Sequence, residues 1–373
     1  MADTFALVCG GGTAGHLMPA LAVAEALVER GHPPESIHFV GSRHGLDSEV
    51  LARSGFPAAL LPGRGLVRRP SAQNLAAAAG LAAALARAGR LVQQLSPRVA
   101  LSVGGYAGLP GALAAALARV PLVVLNVDSV PGAANRLLGR LARANAVAWP
   151  STPLPRAVVT GAPVRRAVRE LSRSPQSRAA ARSALGLPEG RRVLGVFGGS
   201  LGSARINRAT EELATLWQHR RDLAVLHVVG RRDWPAASQR LGQGEGSLAY
   251  RAVEYLERIQ DLYAAADLVV CRAGASTVAE LAVAGVPAVL VPLPGAPGDH
   301  QAANARALAA PGAAVVVEDR DCSGTRLAEL AGALLADPGR LEDMGRAAAA
   351  VGRPGAAGAV ADLVERAALG AGR

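Results

Sequence analysis

The chain contains few residues of several kinds, and each shortage excludes particular kinds of site or structure. Only 3% of its 373 residues are aromatic, and its three cysteines, Cys9, Cys271 and Cys322, stand at unrelated spacings. Such spacing gives neither a disulfide framework nor a zinc site, and a reducing cytoplasm is the simplest setting for it. No run of about 18 or more uncharged apolar residues occurs, so the sequence predicts no membrane-spanning helix.

Lysine is absent, so all 40 basic residues are arginines, and the formal net charge is +11. A positive surface attracts nucleic acids, anionic lipids or phosphorylated substrates. Nucleic-acid binding would combine clustered arginines with interleaved aromatic side chains. Here the arginines are scattered and aromatics are scarce, so we expect no nucleic-acid partner.

Three glycine-rich turns each follow a short apolar run. They are residues 10–15 after residues 5–9, residues 104–105 after residues 99–103, and residues 198–202 after residues 192–197. A strand, a glycine turn and a helix in that order aim backbone N–H groups at an anion. Three such turns predict a phosphate-bearing substrate held between two similar halves.

Apolar runs of strand length alternate with helical patterns in both halves of the chain, on either side of a hinge-like segment at residues 160–165. This alternation predicts an α/β chain of two doubly wound, Rossmann-like domains with parallel sheets. Ligands of such sheets bind beyond the carboxyl ends of the strands, so the three turns are expected to face an inter-domain cleft. The predicted domains are 1–160 and 161–345, with a C-terminal helix in 346–373 packing back across them.

The first glycine turn also matches the G-x-G-x-x-G pattern of dinucleotide-binding proteins. Such a site needs an acid at the end of the second strand to hold the ribose hydroxyls. The strand here ends in Phe39-Val-Gly-Ser-Arg43, which contains no acid. A nicotinamide-dependent oxidoreductase is therefore the last of the alternatives, and no cofactor is expected.

Two side chains, His16 and Glu280, lie at positions where a catalytic or ligand-binding role is expected. His16 follows the first turn at a helix start, where the pKa of an imidazole falls and a neutral ring can accept a proton. Glu280 falls about one turn into a helix after Cys271-Arg-Ala-Gly-Ala-Ser-Thr277, where a carboxylate can bind a ribose diol beside N–H groups that hold phosphate. The plain alternatives are a structural histidine and a helix-capping carboxylate.

Asp319 and Asp321 have the D-x-D spacing that metal-dependent glycosyltransferases use. They lie far in sequence from the other motifs. We interpret them as a solvated turn and helix cap, and we expect no metal site.

In combination and order, the motifs resemble the MurG family of cell-wall glycosyltransferases, which move N-acetylglucosamine from UDP onto lipid I and form lipid II. The resemblance covers nearly the whole chain. It rests on residues 11–16 with 19–22, 104–106, 131–136, 161–165, 198–202 with 207, 272–280, and 299–301 with 304–305.

The resemblance implies a GT-B fold and an inverting, metal-independent transfer for peptidoglycan synthesis. It places His16 and Tyr106 on the acceptor side, with His16 as the candidate base. It places the UDP-sugar on Thr13, Ala14, Gly15, Arg165, Ser200, Leu256, Ala275, Ser276, Thr277, Val278, Ala279, Glu280 and Gln301. Within that set, Arg165 and Ser200 would hold the diphosphate, Leu256 the uracil, Glu280 the ribose and Gln301 the sugar hydroxyls.

One segment departs from the family pattern. Where the family has His-Glu-Gln-Asn, this chain has Asn126-Val-Asp-Ser129. Ser129 replaces the amide expected on the donor sugar, and Val127 replaces the family's acid, so Asp128 becomes a second candidate base. The departure leaves open a related GT-B enzyme that uses another UDP-sugar or lipid. An inactive nucleotide-binding scaffold is a further alternative, against which the intact site residues argue.

A polyprenyl acceptor requires contact with a membrane surface. A basic and apolar stretch in the first domain contains Arg64, Leu66, Arg68, Arg69, Leu75, Leu81, Leu85, Arg87 and Arg90. Arginines beside an apolar helix face suit an anionic leaflet, so we expect a peripheral protein at the cytoplasmic face of the inner membrane. A buried helix with a solvated basic face is the alternative.

Overall fold

The computed structural model describes residues 3–43, 47–61, 72–199, 201–240, 247–295 and 299–370, without the side chains of residues 14, 72–79 and 240. The chain forms two compact units. The first combines Met1–Arg166 with Arg353–Arg373, and the second is Ala167–Gly352.

The first unit is built on a parallel sheet of seven strands in the order β3-β2-β1-β4-β5-β6-β7. The strands are β1 (Ala6–Gly10), β2 (Ile37–Ser42), β3 (Ala58–Leu61), β4 (Val99–Gly104), β5 (Leu122–Asn126), β6 (Ala144–Val147) and β7 (Ala157–Val159). Its first five helices are α1 (Ala14–Glu29), α2 (Asp47–Ala52), α3 (Ala72–Leu95), α4 (Gly105–Leu117) and α5 (Ala133–Leu141). Every residue of β1, β4 and β5 is buried, because helices cover both faces of a parallel sheet.

The second unit repeats the design with six parallel strands in the order β10-β9-β8-β11-β12-β13. The strands are β8 (Arg192–Phe197), β9 (Leu223–Val228), β10 (Ala249–Val253), β11 (Leu268–Cys271), β12 (Ala288–Leu290) and β13 (Ala314–Val316). The helices that follow β7 are α6 (Arg166–Arg169), α7 (Pro175–Ala184), α8 (Ala204–Leu216), α9 (Trp234–Arg240), α10 (Ile259–Ala265), α11 (Ala275–Ala284), α12 (His300–Ala309), α13 (Gly324–Leu335) and α14 (Pro338–Val351).

Each sheet has one point where the strand order reverses, between β1 and β4 in the first unit and between β8 and β11 in the second. Crevices at such points are where open α/β sheets bind their ligands. All three glycine turns follow strands that flank these points. The predicted order of strand, glycine turn and helix is confirmed at all three places, whereas the strand order was not predicted.

The units begin and end a few residues away from the expected boundaries at 160 and 345. Residues 160–166 stay with the first unit, where Arg165 pairs with Glu25 of α1. The expected C-terminal helix is two helices: α14 packs on α11, and α15 (Ala356–Leu369) packs on α1, β4 and β5. The break falls at Gly352, where a Cβ atom would lie 2.8 Å from the carbonyl oxygen of Ala282.

A buried polar network joins α8 to β9 and β10 in the second unit. His227 is 0% exposed, with Nδ1 2.6 Å from Tyr250 Oη and Nε2 3.0 Å from Asn207 Oδ1. Asn207 Nδ2 donates to the carbonyl oxygen of Val229 and to Asp233 Oδ2, both at 3.0 Å. Burial lowers the pKa of His227 to about 4, so the ring is neutral at pH 7.

The depressed pKa of His227 predicts a loss of stability in acid. Between about pH 6.5 and pH 4 the unfolded chain binds a proton that the folded chain excludes, so stability falls as the pH falls. The expected loss is about 2 kcal/mol of unfolding free energy between about pH 7.5 and pH 5. Urea titrations across this range measure it. The His227→Gln variant should lack this part of the slope, and an unchanged slope would contradict the assignment.

Candidate functional site

A buried carboxylate holds the first glycine turn in place. Gly12 N–H donates to Asp47 Oδ1 at 2.8 Å and Oδ2 at 2.9 Å, and Ser42 N–H donates to Oδ2 at 2.8 Å. Burial raises the pKa of Asp47 above its usual value, although these hydrogen bonds act in the opposite direction. The prediction that the turn aims free N–H groups at a ligand is therefore wrong for Gly12, whose N–H faces an internal acceptor. Sequence reasoning missed Asp47; the available signal was an acid that opens a helix soon after the second strand.

This arrangement leaves no space for a side chain at Gly11. Its φ is +147°, and a Cβ atom would lie 2.1 Å from Asp47 Oδ2. We expect Gly11→Ala to lower the unfolding free energy by about 1–3 kcal/mol more than Gly31→Ala does. Gly31 is the matched control, because its φ is +96° and a Cβ atom there meets nothing within 4 Å. Equal losses in thermal unfolding would contradict the close contact with Asp47.

Three predicted residues gather beside this turn. Thr13 Oγ1 lies 3.0 Å from His16 Nδ1 in the first turn of α1. At Gly105, at the start of α4, a Cβ atom would lie 2.7 Å from the carbonyl oxygen of Gly11 and 3.2 Å from His16 Nδ1, so the second glycine turn packs on the first. The Cε1 atom of Tyr106 lies 2.9 Å from the position that a Cβ atom would take at Gly12, and Tyr106 is 38% exposed. His16, Thr13 and Tyr106 thus line one surface.

The loop after β5 contains the segment that departs from the family pattern. Asn126 is buried, donates to the carbonyl oxygen of Asp128 at 2.6 Å and accepts from Asn135 Nδ2 at 2.9 Å. The Asn135 amide also lies beside Gly104, so it links the end of β4 to the loop after β5. Val127 is buried, while Asp128 and Ser129 are half-buried in a bend. The position of the family's acid is therefore part of the apolar core in this chain.

Arg165 has a carboxylate partner within the first unit. Its Nε and Nη2 both lie 2.6 Å from Glu25 Oε1, and Arg166 N–H donates to Glu25 Oε2 at 3.1 Å. Sequence reasoning missed Glu25, which lies far from Arg165 in the chain. A diphosphate that binds Arg165 has to compete with this carboxylate.

In the second unit, Glu280 projects from α11, whose first turn follows the N-cap residue Gly274. The first-turn N–H groups of a helix have no acceptor inside the helix and carry partial positive charge. Glu280 is half-buried, and its Oε2 accepts from Tyr263 Oη at 2.8 Å. Burial, together with the charge of Glu280, raises the pKa of Tyr263 well above its usual value, so the phenol remains a donor. The carboxylate is held one turn away from a set of N–H donors.

Arg272 ties together the loops around this helix. Its Nη2 donates to Ser203 Oγ at 2.8 Å, and its Nη1 donates to the carbonyl oxygens of Val291 and Pro292 at 3.1 and 3.2 Å. Nη1 also lies 2.6 Å from Asp319 Oδ1.

The contact with Arg272 corrects the interpretation of the D-x-D segment. The Asp319 side chain is only 17% exposed and ion-paired, whereas the Asp321 side chain is 60% exposed. The segment forms a short 3₁₀ helix rather than a solvated turn. Within the described part of the chain, no group of three or more histidine, cysteine or acidic side chains is arranged to hold a metal ion.

The remaining predicted residues follow neighbouring strands of the second sheet. Gln301, in the first turn of α12, accepts from Leu293 N–H at 3.0 Å, and Asn304 donates to the carbonyl oxygen of Ala273 at 3.3 Å. Leu256 is half-buried after β10. Residues 275–279 form the first half of α11. Ser200, Arg64, Leu66, Arg68 and Arg69 lie outside the described residues, as do the side chains of Ala14 and Leu75.

Comparison with known proteins places the chain in a family. The Glycosyltransferase family 28 N-terminal domain matches residues 6–147, and the Glycosyltransferase family 28 C-terminal domain matches residues 193–362. The chain belongs to glycosyltransferase family 28. These matches cover the loops that carry His16, Tyr106 and Glu280.

Relatives match the chain along nearly its whole length. A UDP-N-acetylglucosamine–N-acetylmuramyl-(pentapeptide) pyrophosphoryl-undecaprenol N-acetylglucosamine transferase of Desulforudis audaxviator is 37% identical, over 96% of this chain and 97% of that protein. A protein of the same name from Nitratidesulfovibrio vulgaris is 41% identical, over 97% of both chains. The crystal structure of Acinetobacter baumannii MurG superposes with a TM-score of 0.71 at 28% identity, over 97% of this chain and 99% of that one. The MurG family and the GT-B fold are thereby confirmed.

Proposed function

We propose that the protein transfers N-acetylglucosamine from UDP-N-acetylglucosamine to the muramyl 4-hydroxyl of lipid I and so forms lipid II for peptidoglycan synthesis. The observation that carries this proposal is the match, at 33–42% identity along nearly the whole chain, to proteins named for this transfer. The contacts around α1 and α11 support it, because they supply a base beside one glycine turn and a carboxylate beside an N–H-rich helix start.

For the donor, we place the nucleotide along the carboxyl ends of β10, β8, β11 and β12. Neighbouring strands lie ~4.8 Å apart, so these loops span roughly 20 Å, enough for an extended nucleotide-sugar. The first turn of α11 would hold phosphate through its N–H groups. Glu280 would accept from the ribose hydroxyls, with its orientation fixed by Tyr263. Leu256 would contact the uracil through its backbone, and Gln301 would contact the sugar hydroxyls.

For the acceptor, we propose His16 as the base. A base at Nε2 needs the ring proton on Nδ1, and in that tautomer Nδ1–H donates to Thr13 Oγ1 at 3.0 Å. As Nε2 takes the hydroxyl proton, the acceptor oxygen attacks the anomeric carbon, and UDP leaves with the electrons of the broken bond, which inverts that carbon. Tyr106 would contact the acceptor sugar. Asp128 is the alternative base.

We propose that helix N-termini stabilise the charge on the departing UDP without a metal ion. Thr13, Ala14 and Gly15 stand at the start of α1, and Ser200 belongs, by its sequence position, to the glycine-rich segment that follows β8. Arg165 would join them by exchanging Glu25 for phosphate oxygens, since its guanidinium is paired with that carboxylate.

We also propose peripheral binding at the cytoplasmic face of the inner membrane. No helix among the described residues is long and apolar enough to cross a bilayer. On α3, Ala84 and Ala88 are buried, while Leu81, Arg87 and Arg90 are exposed. Sedimentation with vesicles tests this contact: binding should require anionic lipid and weaken in an Arg87→Gln, Arg90→Gln double variant. Equal binding to neutral vesicles would contradict it.

Calorimetry of UDP-sugar binding, without divalent metal, separates the proposed function from its nearest rival. We expect UDP-N-acetylglucosamine to bind more tightly than UDP-glucose or UDP-galactose, and NADH not to bind.

The loop at residues 126–129 favours a second candidate function, that of a related enzyme which uses another UDP-sugar or lipid acceptor. Preference for another UDP-sugar would support that candidate, particularly if Ser129→Asn restored the preference for N-acetylglucosamine.

A further inference from the structure

The second unit contains a cavity of about 670 Å³ at the amino-terminal edge of its sheet. Its lining includes Arg192 at the start of β8, Asp267 just before β11 and Pro287 just before β12. The proposed donor site lies beyond the carboxyl ends of the same strands, so the cavity is on the opposite edge of the sheet. Its volume falls in the range of about 300–1,000 Å³ that small-molecule sites occupy.

Arginines outnumber carboxylates along one wall of this cavity. Asp267, whose side chain is 5% exposed, contacts Arg178, Arg182 at 2.9 Å and Arg192 at 3.4 Å. It also accepts from Val193 N–H at 2.7 Å. One carboxylate offsets one of these three guanidinium charges.

A fourth arginine adds to the excess of positive charge. Arg173 donates to the carbonyl oxygens of Gly285 and Ala266, both at 2.6 Å, which stand at the C-terminal ends of α11 and α10. A helix C-terminus carries about half a negative charge, so these contacts offset only part of the excess. Burial, together with the neighbouring Arg178, lowers the pKa of Arg173 to about 10, as expected where cations crowd each other.

Most N–H groups of the Arg192 guanidinium are available to donate hydrogen bonds to a ligand. Its side chain is 43% exposed, and among the described residues its guanidinium makes a single contact, from Nη1 to Asp267 at 3.4 Å. The remaining N–H groups form the planar fork that binds two oxygens of a phosphate group. The cavity also has apolar lining from Ala284, Pro287, Leu341 and Ala349, and two exposed side chains of opposite charge, Glu342 and Arg346.

We infer that this cavity binds a small organic phosphate, with its phosphoryl oxygens on Arg192 and Arg178 and its apolar part against Leu341 and Pro287. The cationic wall selects a phosphoryl group, and the apolar wall selects a ligand with a hydrocarbon or ring attached to it. This site does not depend on the transferase activity and can fill while the donor site is occupied.

Titration with phenyl phosphate and inorganic phosphate, followed by backbone amide NMR shifts, tests the inference. The amides of Gly285 and Gly345 report on the cavity, and those of Gly274 and Ser276 report on the proposed donor site. We expect saturable shifts at Gly285 and Gly345, with phenyl phosphate binding more tightly than phosphate. Arg192→Gln should weaken this binding roughly tenfold or more, since a charged hydrogen bond is lost.

Arg326→Gln is the matched control, because it removes one exposed positive charge from α13, away from the cavity. It should leave the affinity unchanged, and both variants should keep the wild-type melting temperature. Absence of saturable shifts at Gly285 and Gly345 would overturn the inference, as would equal weakening by the two variants. Phenyl phosphate binding no more tightly than phosphate would overturn the assignment to an organic phosphate.

Discussion

Replacing His16 with alanine is expected to lower kcat for N-acetylglucosamine transfer by roughly 10²–10⁴-fold, the range in which a positioned general base contributes. The affinity for UDP should stay at the wild-type value, because His16 is proposed to contact the acceptor, while the proposed uracil and ribose contacts, Leu256 and Glu280, lie in the other unit. Steady-state transfer assays with lipid I, together with calorimetry of UDP binding, measure both quantities. A His16→Ala variant with near wild-type kcat would remove His16 from the mechanism.

The contact between Thr13 and His16 allows a sharper control. Thr13→Val keeps the size of the side chain but removes the oxygen that accepts from Nδ1–H in the proposed tautomer. This variant should lower kcat by less than His16→Ala and shift the acid limb of the pH–rate profile, while melting at the wild-type temperature. Asp128→Asn separates the two candidate bases. If Asp128→Asn lost the activity and His16→Ala kept it, Asp128 would be the base.

The second large effect is expected at Glu280. Glu280→Gln should weaken UDP binding roughly 10- to 100-fold, the value of a hydrogen bond to a charged group. Glutamine keeps the shape of the side chain and still offers an oxygen to Tyr263. Calorimetric titration with UDP measures the loss.

A nucleotide that lacks the 2′-hydroxyl tests the same contact from the ligand's side. Wild-type protein should bind UDP more tightly than 2′-deoxy-UDP, and Glu280→Gln should remove most of that difference. Glu329→Gln, which changes an exposed carboxylate on α13, is the matched control and should bind UDP like the wild type. If Glu280→Gln weakened both nucleotides equally, Glu280 would act on the fold of the site rather than on the ribose.

Local patterns in the sequence predict the two sheets and the places of the glycine turns. Apolar runs of strand length alternate with helical patterns, and this alternation produces parallel strands whose loops meet at one edge. The same reasoning predicts His16 at the start of α1 and Glu280 one turn into α11. These are local properties, set by residues close to one another in the chain.

Three other contacts near these residues are set by distant parts of the chain. Asp47 accepts from Gly12, Glu25 pairs with Arg165, and Asp319 pairs with Arg272. A single sequence shows that a turn contains N–H groups or that an arginine follows a strand, but it does not show which carboxylate the fold brings to them. This is why the Gly12 N–H was expected to face a ligand and Asp319 to face solvent.

We would first measure whether the purified protein forms lipid II from UDP-N-acetylglucosamine and lipid I in the presence of a metal chelator. We expect transfer of labelled N-acetylglucosamine into lipid II, with little transfer from UDP-glucose or UDP-galactose. If folded protein bound UDP yet formed no lipid II, or transferred a different sugar, the protein would not be the lipid II-forming transferase.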